Sequence, residues 1–149
     1  MTTILLSTKI SAPIQKVFDL SRDIDVHQNS ASKTNEIAIE GTIHGKINLN
    51  ETVTWRGKHF GLYLKHTSLI TQMEMYTFFA DEMIKGHFKT FRHEHYFEEK
   101  NGVTTMTDKL MYETPFWIFG QLFDYFFLEK HLTNFLLERN QVLKSLSES

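Results

Sequence analysis

Hydrophobic and polar residues alternate, in short runs, over most of the chain up to Pro115, and beyond it the spacing becomes helical. Thr2 to Ile10 reads as a strand. Ser11 then offers an N-cap, with Pro13 near the first helical position and Val17, Phe18 and Leu20 on the apolar side of a short helix that ends near Arg22. Asp23 can cap a second short helix holding Ile24, Val26 and His27. Strands are predicted over Glu36 to Gly41 and Asn48 to Gly57, the latter placing Leu49, Glu51, Val53 and Trp55 on one face. Lys58 to Leu69 alternates Phe60, Leu62, Leu64 and His66, and Thr71 to Phe79 is a further apolar-rich strand. Short connections between successive strands imply an antiparallel meander.

Gly86 to Tyr112 folds on paper into one hairpin. Asn101-Gly102 supplies a type I′ turn, because both residues tolerate positive φ. The register then pairs Phe97 with Met106, His95 with Asp108, His93 with Leu110 and Phe91 with Tyr112 on one face, and Glu94 with Lys109 and Tyr96 with Thr107 on the other. A three-residue loop would slip the pairing by one and set Glu94 against Asp108, so charge and apolar patterns both favour the first register.

Three ionisable side chains on an otherwise apolar face ask for a chemical reason, since each buried polar group costs free energy unless paired. His95 and Asp108 can satisfy each other as a structural pair. They can also anchor a ligand in a largely enclosed apolar pocket of about 300–1,000 Å³. His93-x-His95 with Asp108 is, thirdly, the ligand set of a facial triad. A His95–Asp108 hydrogen bond competes for the same atoms, so neither a metal nor another cofactor is expected.

From Phe116 to about Leu146, Ile118, Tyr125, Leu128, Leu132, Phe135, Leu136, Leu143 and Leu146 recur near one side of a long helix. Its first part is apolar on the opposite side too, through Phe116, Phe119, Leu122, Phe123, Phe126 and Phe127. Such a segment is buried all round or carries an exposed patch. Pro115 to Leu128 is too short to span a bilayer and contains Gln121 and Asp124, so stable membrane insertion is not expected. Two covers for the aromatic side suggest themselves: a homodimer through Phe119, Phe123 and Phe127, or a break at Gly120 that folds the early aromatics over a cavity mouth as a gate.

The 149 residues fit a single domain, 1–149, with two prolines, no low-complexity run and no repeat. Mixed charge with a net of −2 gives no basic stripe, so nucleic acid is not an expected partner. Cysteine is absent, which excludes disulfides and thiolate sites and suits a reducing cytoplasm. The first residues lack the basic and apolar regions of a signal peptide.

Several stretches carry a resemblance. Ser11-Ala12-Pro13 followed by Val17-Phe18-Asp19-Leu20 resembles the opening of the START-like SRPBCC superfamily. Arg22-Asp23-Ile24-Asp25 with His27, and Glu51-Thr52-Val53-Thr54-Trp55 with Phe60-Gly61, are similar to a bacterial branch of ligand-binding SRPBCC proteins. So are Phe79-x-Asp81, Gly86-x-Phe88, His93-Glu94-His95-x-Phe97, Asp108, and Tyr112 with Pro115 and Gly120. Tyr76 and His87 depart from it, standing where that branch would have proline. The resemblance implies an α+β helix-grip fold: two short helices after the first strand, and a curved antiparallel sheet of about seven strands wrapped around the C-terminal helix. It further implies binding or carrying of a hydrophobic or aromatic small molecule, with Glu51, Trp55, Phe79, Phe91, His93, His95, Phe97, Asp108 and Tyr112 as candidate ligand-binding residues. The alternatives are a cyclase or dehydratase with His95–Asp108 as general base and Glu51 or His93 as proton-transfer partner, or a protein-interaction domain with a vestigial cavity.

Overall fold

Asn101 and Gly102, at φ 53° and 78°, close the hairpin in the expected register, with His95 opposite Asp108, His93 opposite Leu110 and Phe97 opposite Met106. The structure is a computed structural model that describes residues Met1–Ser149. The strands are β1 (Thr2–Ile10), β2 (Ile37–Gly41), β3 (Thr52–His59), β4 (Leu62–Glu74), β5 (Phe78–Lys85), β6 (Thr90–Lys100) and β7 (Val103–Glu113). They form one antiparallel sheet in the order β1-β7-β6-β5-β4-β3-β2, so every neighbour except β1–β7 is joined by a direct connection. Helices α1 (Ile14–Ser21) and α2 (Ile24–Ser30) follow β1, and the chain ends in α3 (Trp117–Phe123), a π-helical turn (Asp124–Leu128) and α4 (Glu129–Glu148), which run on without a break. This is the helix-grip arrangement.

Local signals account for the short helices, with one correction. Asp23 caps α2, its Oδ1 accepting from the backbone N–H groups of Asp25 and Val26. Ser11 does not cap α1. Pro13 occupies that position with no side-chain bond, and the Ile14 N–H is satisfied by Glu99 Oε1 at 2.9 Å, across the fold. Strand boundaries also differ from expectation, and β3 begins at Thr52, four residues after the expected Asn48. Alternation continues straight through Phe60-Gly61, which in fact form the tight turn between β3 and β4, and β4 runs on to Glu74 before the chain reverses at Met75–Thr77. Phe60 has φ 52°, a conformation that its side chain gives no reason to expect.

Phe18 of α1 stands edge-on to Tyr76, Phe79 and Phe97, with ring centroids 5.1–5.5 Å away, and centres the larger core together with Ile10, Val17, Met106 and Leu143. A second cluster, Ile4, Leu110, Tyr112, Leu128 and Leu136, seats the C-terminal helix on β1 and β7. At the π turn the carboxylate of Asp124 is pulled onto the sheet, accepting from Tyr112 Oη at 2.5 Å and from the Thr2 hydroxyl. Tyr112→Phe removes a buried bond to a charged acceptor and should lower stability by about 2 kcal/mol in urea unfolding. An unchanged midpoint would show that Thr2 alone suffices.

Gly120 has a steric reason. A Cβ there would stand 1.8 Å from the Pro115 carbonyl oxygen, so only glycine lets Thr114–Phe116 cross the first turns of the helix. The break at Gly120, the alternative to a homodimer as cover for the aromatic side, is absent, and α3 continues through it.

Candidate functional site

A pocket of about 870 Å³ lies between the concave face of the sheet and the C-terminal helix. The even-numbered positions of β4 from Leu62 to Ile70 face it, as do Trp55 of β3, Phe79 of β5 and Phe91 of β6, while Leu128, Leu132, Phe135 and Leu136 close it from the helix. It is not enclosed. Phe60, Leu62, Phe116 and Phe119 line it and are themselves exposed, so the mouth opens between the β3–β4 turn and α3.

Polar side chains gather at the floor. His93 and His95 project from β6 toward the pocket with ring centroids 3.8 Å apart. Each carboxylate beside them binds the histidine diagonal to its own position. Asp81 of β5 lies opposite His93 and bonds His95 Nε2 at 2.9 Å, whereas Asp108 of β7 lies opposite His95 and bonds His93 Nε2 at 2.8 Å. Diagonal partners on adjacent strands stay within reach of long side chains. The expected His95–Asp108 hydrogen bond is therefore not formed. Asp108 Oδ1 is 3.5 Å from His95 Nδ1, and that buried nitrogen has no hydrogen-bond partner. The lone pairs of Asp108 are taken instead by Arg139 Nη2 and Asn140 Nδ2 of α4, each at 2.7 Å.

Charges follow from these contacts. Burial would raise the carboxyl of Asp108, but the Arg139 guanidinium, the hydrogen bond from His93 and the adjacent His95 ring hold it well below the usual carboxylate range. Burial likewise opposes ionisation of Asp81, and the His95 bond and the neighbouring imidazoles overcome it. Burial, with His95 alongside, pushes His93 down to about 4, so it is a neutral imidazole at pH 7.

A second polar group stands nearer the mouth. Glu36, just before β2, has His27 Nε2 at 3.1 Å and His59 Nε2 at 3.6 Å, and the other ring nitrogen of His59 is 2.9 Å from His131 Nε2 of α4. Burial would raise Glu36, but the hydrogen bond from His27 and the close His59 ring hold it down to about 2. Trp55 packs on His27 at 4.2 Å between ring centroids.

Of the residues expected at a ligand site, Trp55, Phe79, Phe91, His93 and His95 line the pocket. Phe97, Asp108 and Tyr112 lie behind its wall, in the cores and at the floor's back. Glu51 is elsewhere: it precedes β3 on a turn, where its carboxylate accepts from the Asn48 N–H and the Thr42 hydroxyl. Arg139, Asn140, Glu36, His59 and His131 are not among the expected site residues. Arg139 and Asn140 do carry a signal, because they fall three and four residues after Leu136 and, respectively, four and three before Leu143, on the core side of the helix. The aromatic side of the helix is uncovered as its spacing suggests, with Phe119, Phe123 and Phe127 exposed, and the first two also stand at the pocket mouth.

No protein-family model and no curated protein matches the sequence. Solved structures do match it along its whole length. A protein from Thermus thermophilus superposes with a TM-score of 0.76 at 14% identity, covering 98% of this chain and 99% of that one. A protein from Chromobacterium violaceum gives 0.75 at 9% identity over 99% and 97%, and ginseng major latex-like protein 151 from Panax ginseng gives 0.72 at 14% over 99% and 98%. At these identities the likeness is one of fold, and it agrees with the helix-grip arrangement. No helix is long and apolar enough to cross a membrane.

Proposed function

We propose that this chain binds or carries a hydrophobic or aromatic small molecule between its sheet and its C-terminal helix. The observation that carries the reading is the pocket itself: about 870 Å³ of mostly apolar wall whose polar side chains include two hydrogen-bonded groups, the Asp81–His93–His95 floor and the Glu36 cluster. Small-molecule sites are built in this way, apolar area supplying affinity and a few convergent polar groups fixing orientation. A space of that size accepts a drug-sized ligand. The open mouth ringed by Phe60, Phe116 and Phe119 supports the entry of an apolar guest, since these rings would otherwise meet only water.

Native mass spectrometry of the purified chain should reveal a co-purifying mass lost on denaturation. Independently, 1-anilinonaphthalene-8-sulfonate should fluoresce on binding the ligand-free protein. Ser68→Phe, which adds a ring from a small buried position on the pocket face of β4, should weaken that binding about tenfold by occupying the space. Dye binding equal to wild type in a folded Ser68→Phe protein would refute the pocket as the site.

A further inference from the structure

We propose that His93, His95 and Asp81 form a site for a borderline first-row divalent cation such as zinc or ferrous iron at the floor of the pocket. The three side chains each bring one ligand atom into a cluster whose members all lie within 4.8 Å of one another. His95 Nε2 and Asp81 Oδ2 are 2.9 Å apart, the separation of two adjacent ligands whose bonds of about 2.0–2.2 Å meet near a right angle. Two imidazoles and one carboxylate make the facial set that leaves further coordination positions open, here toward the pocket. With no cysteine in the chain, the donors are nitrogen and oxygen, which suits a borderline cation over a soft one.

The strongest support comes from behind the ligands. Asp108 cannot itself ligate without losing Arg139 and Asn140, which hold its two oxygens at 2.7 Å. It is placed instead as the outer carboxylate that orients ligating histidines: it accepts from His93 Nε2, leaving His93 Nδ1 without a protein partner, and it stands 3.5 Å from His95 Nδ1. That His95 nitrogen is the unexplained atom of the floor, buried and unbonded. A cation on His95 Nε2 fixes the proton on Nδ1 and aims it at Asp108, so a small ring movement would complete the bond.

The probe is Co²⁺ alone, titrated into the full chain after chelator treatment and followed by visible absorbance. One equivalent should bind with d–d bands, be displaced by Zn²⁺, and broaden the imidazole NMR resonances of His93 and His95 before those of other histidines. Asp81→Asn keeps the side-chain shape and should weaken Co²⁺ binding at least about tenfold, whereas His59→Gln at the mouth should leave it unchanged. Melting of the cation-free Asp81→Asn protein shows whether it is folded, and the NMR readout on the wild type needs no variant. The proposal is overturned by failure to bind a stoichiometric cation, by wild-type affinity in folded Asp81→Asn, or by broadening that falls first on His27, His59 and His131. None of these readings requires the organic ligand.

Discussion

Asp108→Ala should lower the free energy of unfolding by about 3–5 kcal/mol, a loss large enough to dominate any other single change in the sheet. The carboxylate is fully buried and accepts from Arg139, Asn140 and His93, so its removal strands a guanidinium inside the protein with nothing of opposite charge on its Nη2. Asp108→Asn should also destabilise, because an amide nitrogen turned toward these donors meets another N–H. Urea unfolding with circular dichroism measures both. The cause is separable: Asp108→Leu combined with Arg139→Met removes the charge and its partner together and should recover much of the loss, since a buried ion pair is replaceable by apolar side chains of similar volume. Single and double variants of equal stability would mean that the pair, as opposed to the cavity left behind, was not the source.

Acid should weaken the protein through Glu36. Its carboxyl is held near 2 in the folded chain against an ordinary value of 4.5, so between these values the unfolded chain takes up a proton that the folded one refuses. The contribution is therefore fully present above about pH 5 and is lost progressively as pH falls toward 2. Such a displacement corresponds to about 3 kcal/mol for this buried group. Unfolding free energies of the wild type and Glu36→Gln, measured at several pH values from 7 to 3, should differ most at neutral pH and converge in acid. A gap that stayed constant with pH would remove Glu36 as the source.

The hairpin was legible because two independent signals, the Asn-Gly turn and the matching of charge and apolar faces, demanded one register. The same alternation could not locate the β3–β4 reversal, since Phe60 looks like one more inward residue and only its positive φ betrays the turn. At the site, the sequence pattern placed the right imidazoles on the right face, but it pairs residues directly across strands. It has no access to the diagonal reach that sends Asp108 to His93 and Asp81 to His95. Helical spacing puts Arg139 and Asn140 on the core side with Leu136 and Leu143, but it does not name Asp108 as the group they reach. Glu36, His27, His59 and His131 come from four separate segments, and only the closure of the fold brings them together.

The crossed pairs have a mechanical consequence. Backbone hydrogen bonds tie β5, β6 and β7 edge to edge, and the diagonal contacts add bracing at an angle to them, as cross-ties stiffen a rectangular frame against shear. Arg139 and Asn140 pin the same frame to α4. The rim is built differently: around Phe60, Phe116 and Phe119, exposed rings stand on a tight turn and the first turns of a helix, beyond the braced panel. Under the proposed function, a guest would meet its adjustable contacts at the rim, while the braced far wall would serve as a fixed gauge of its outline.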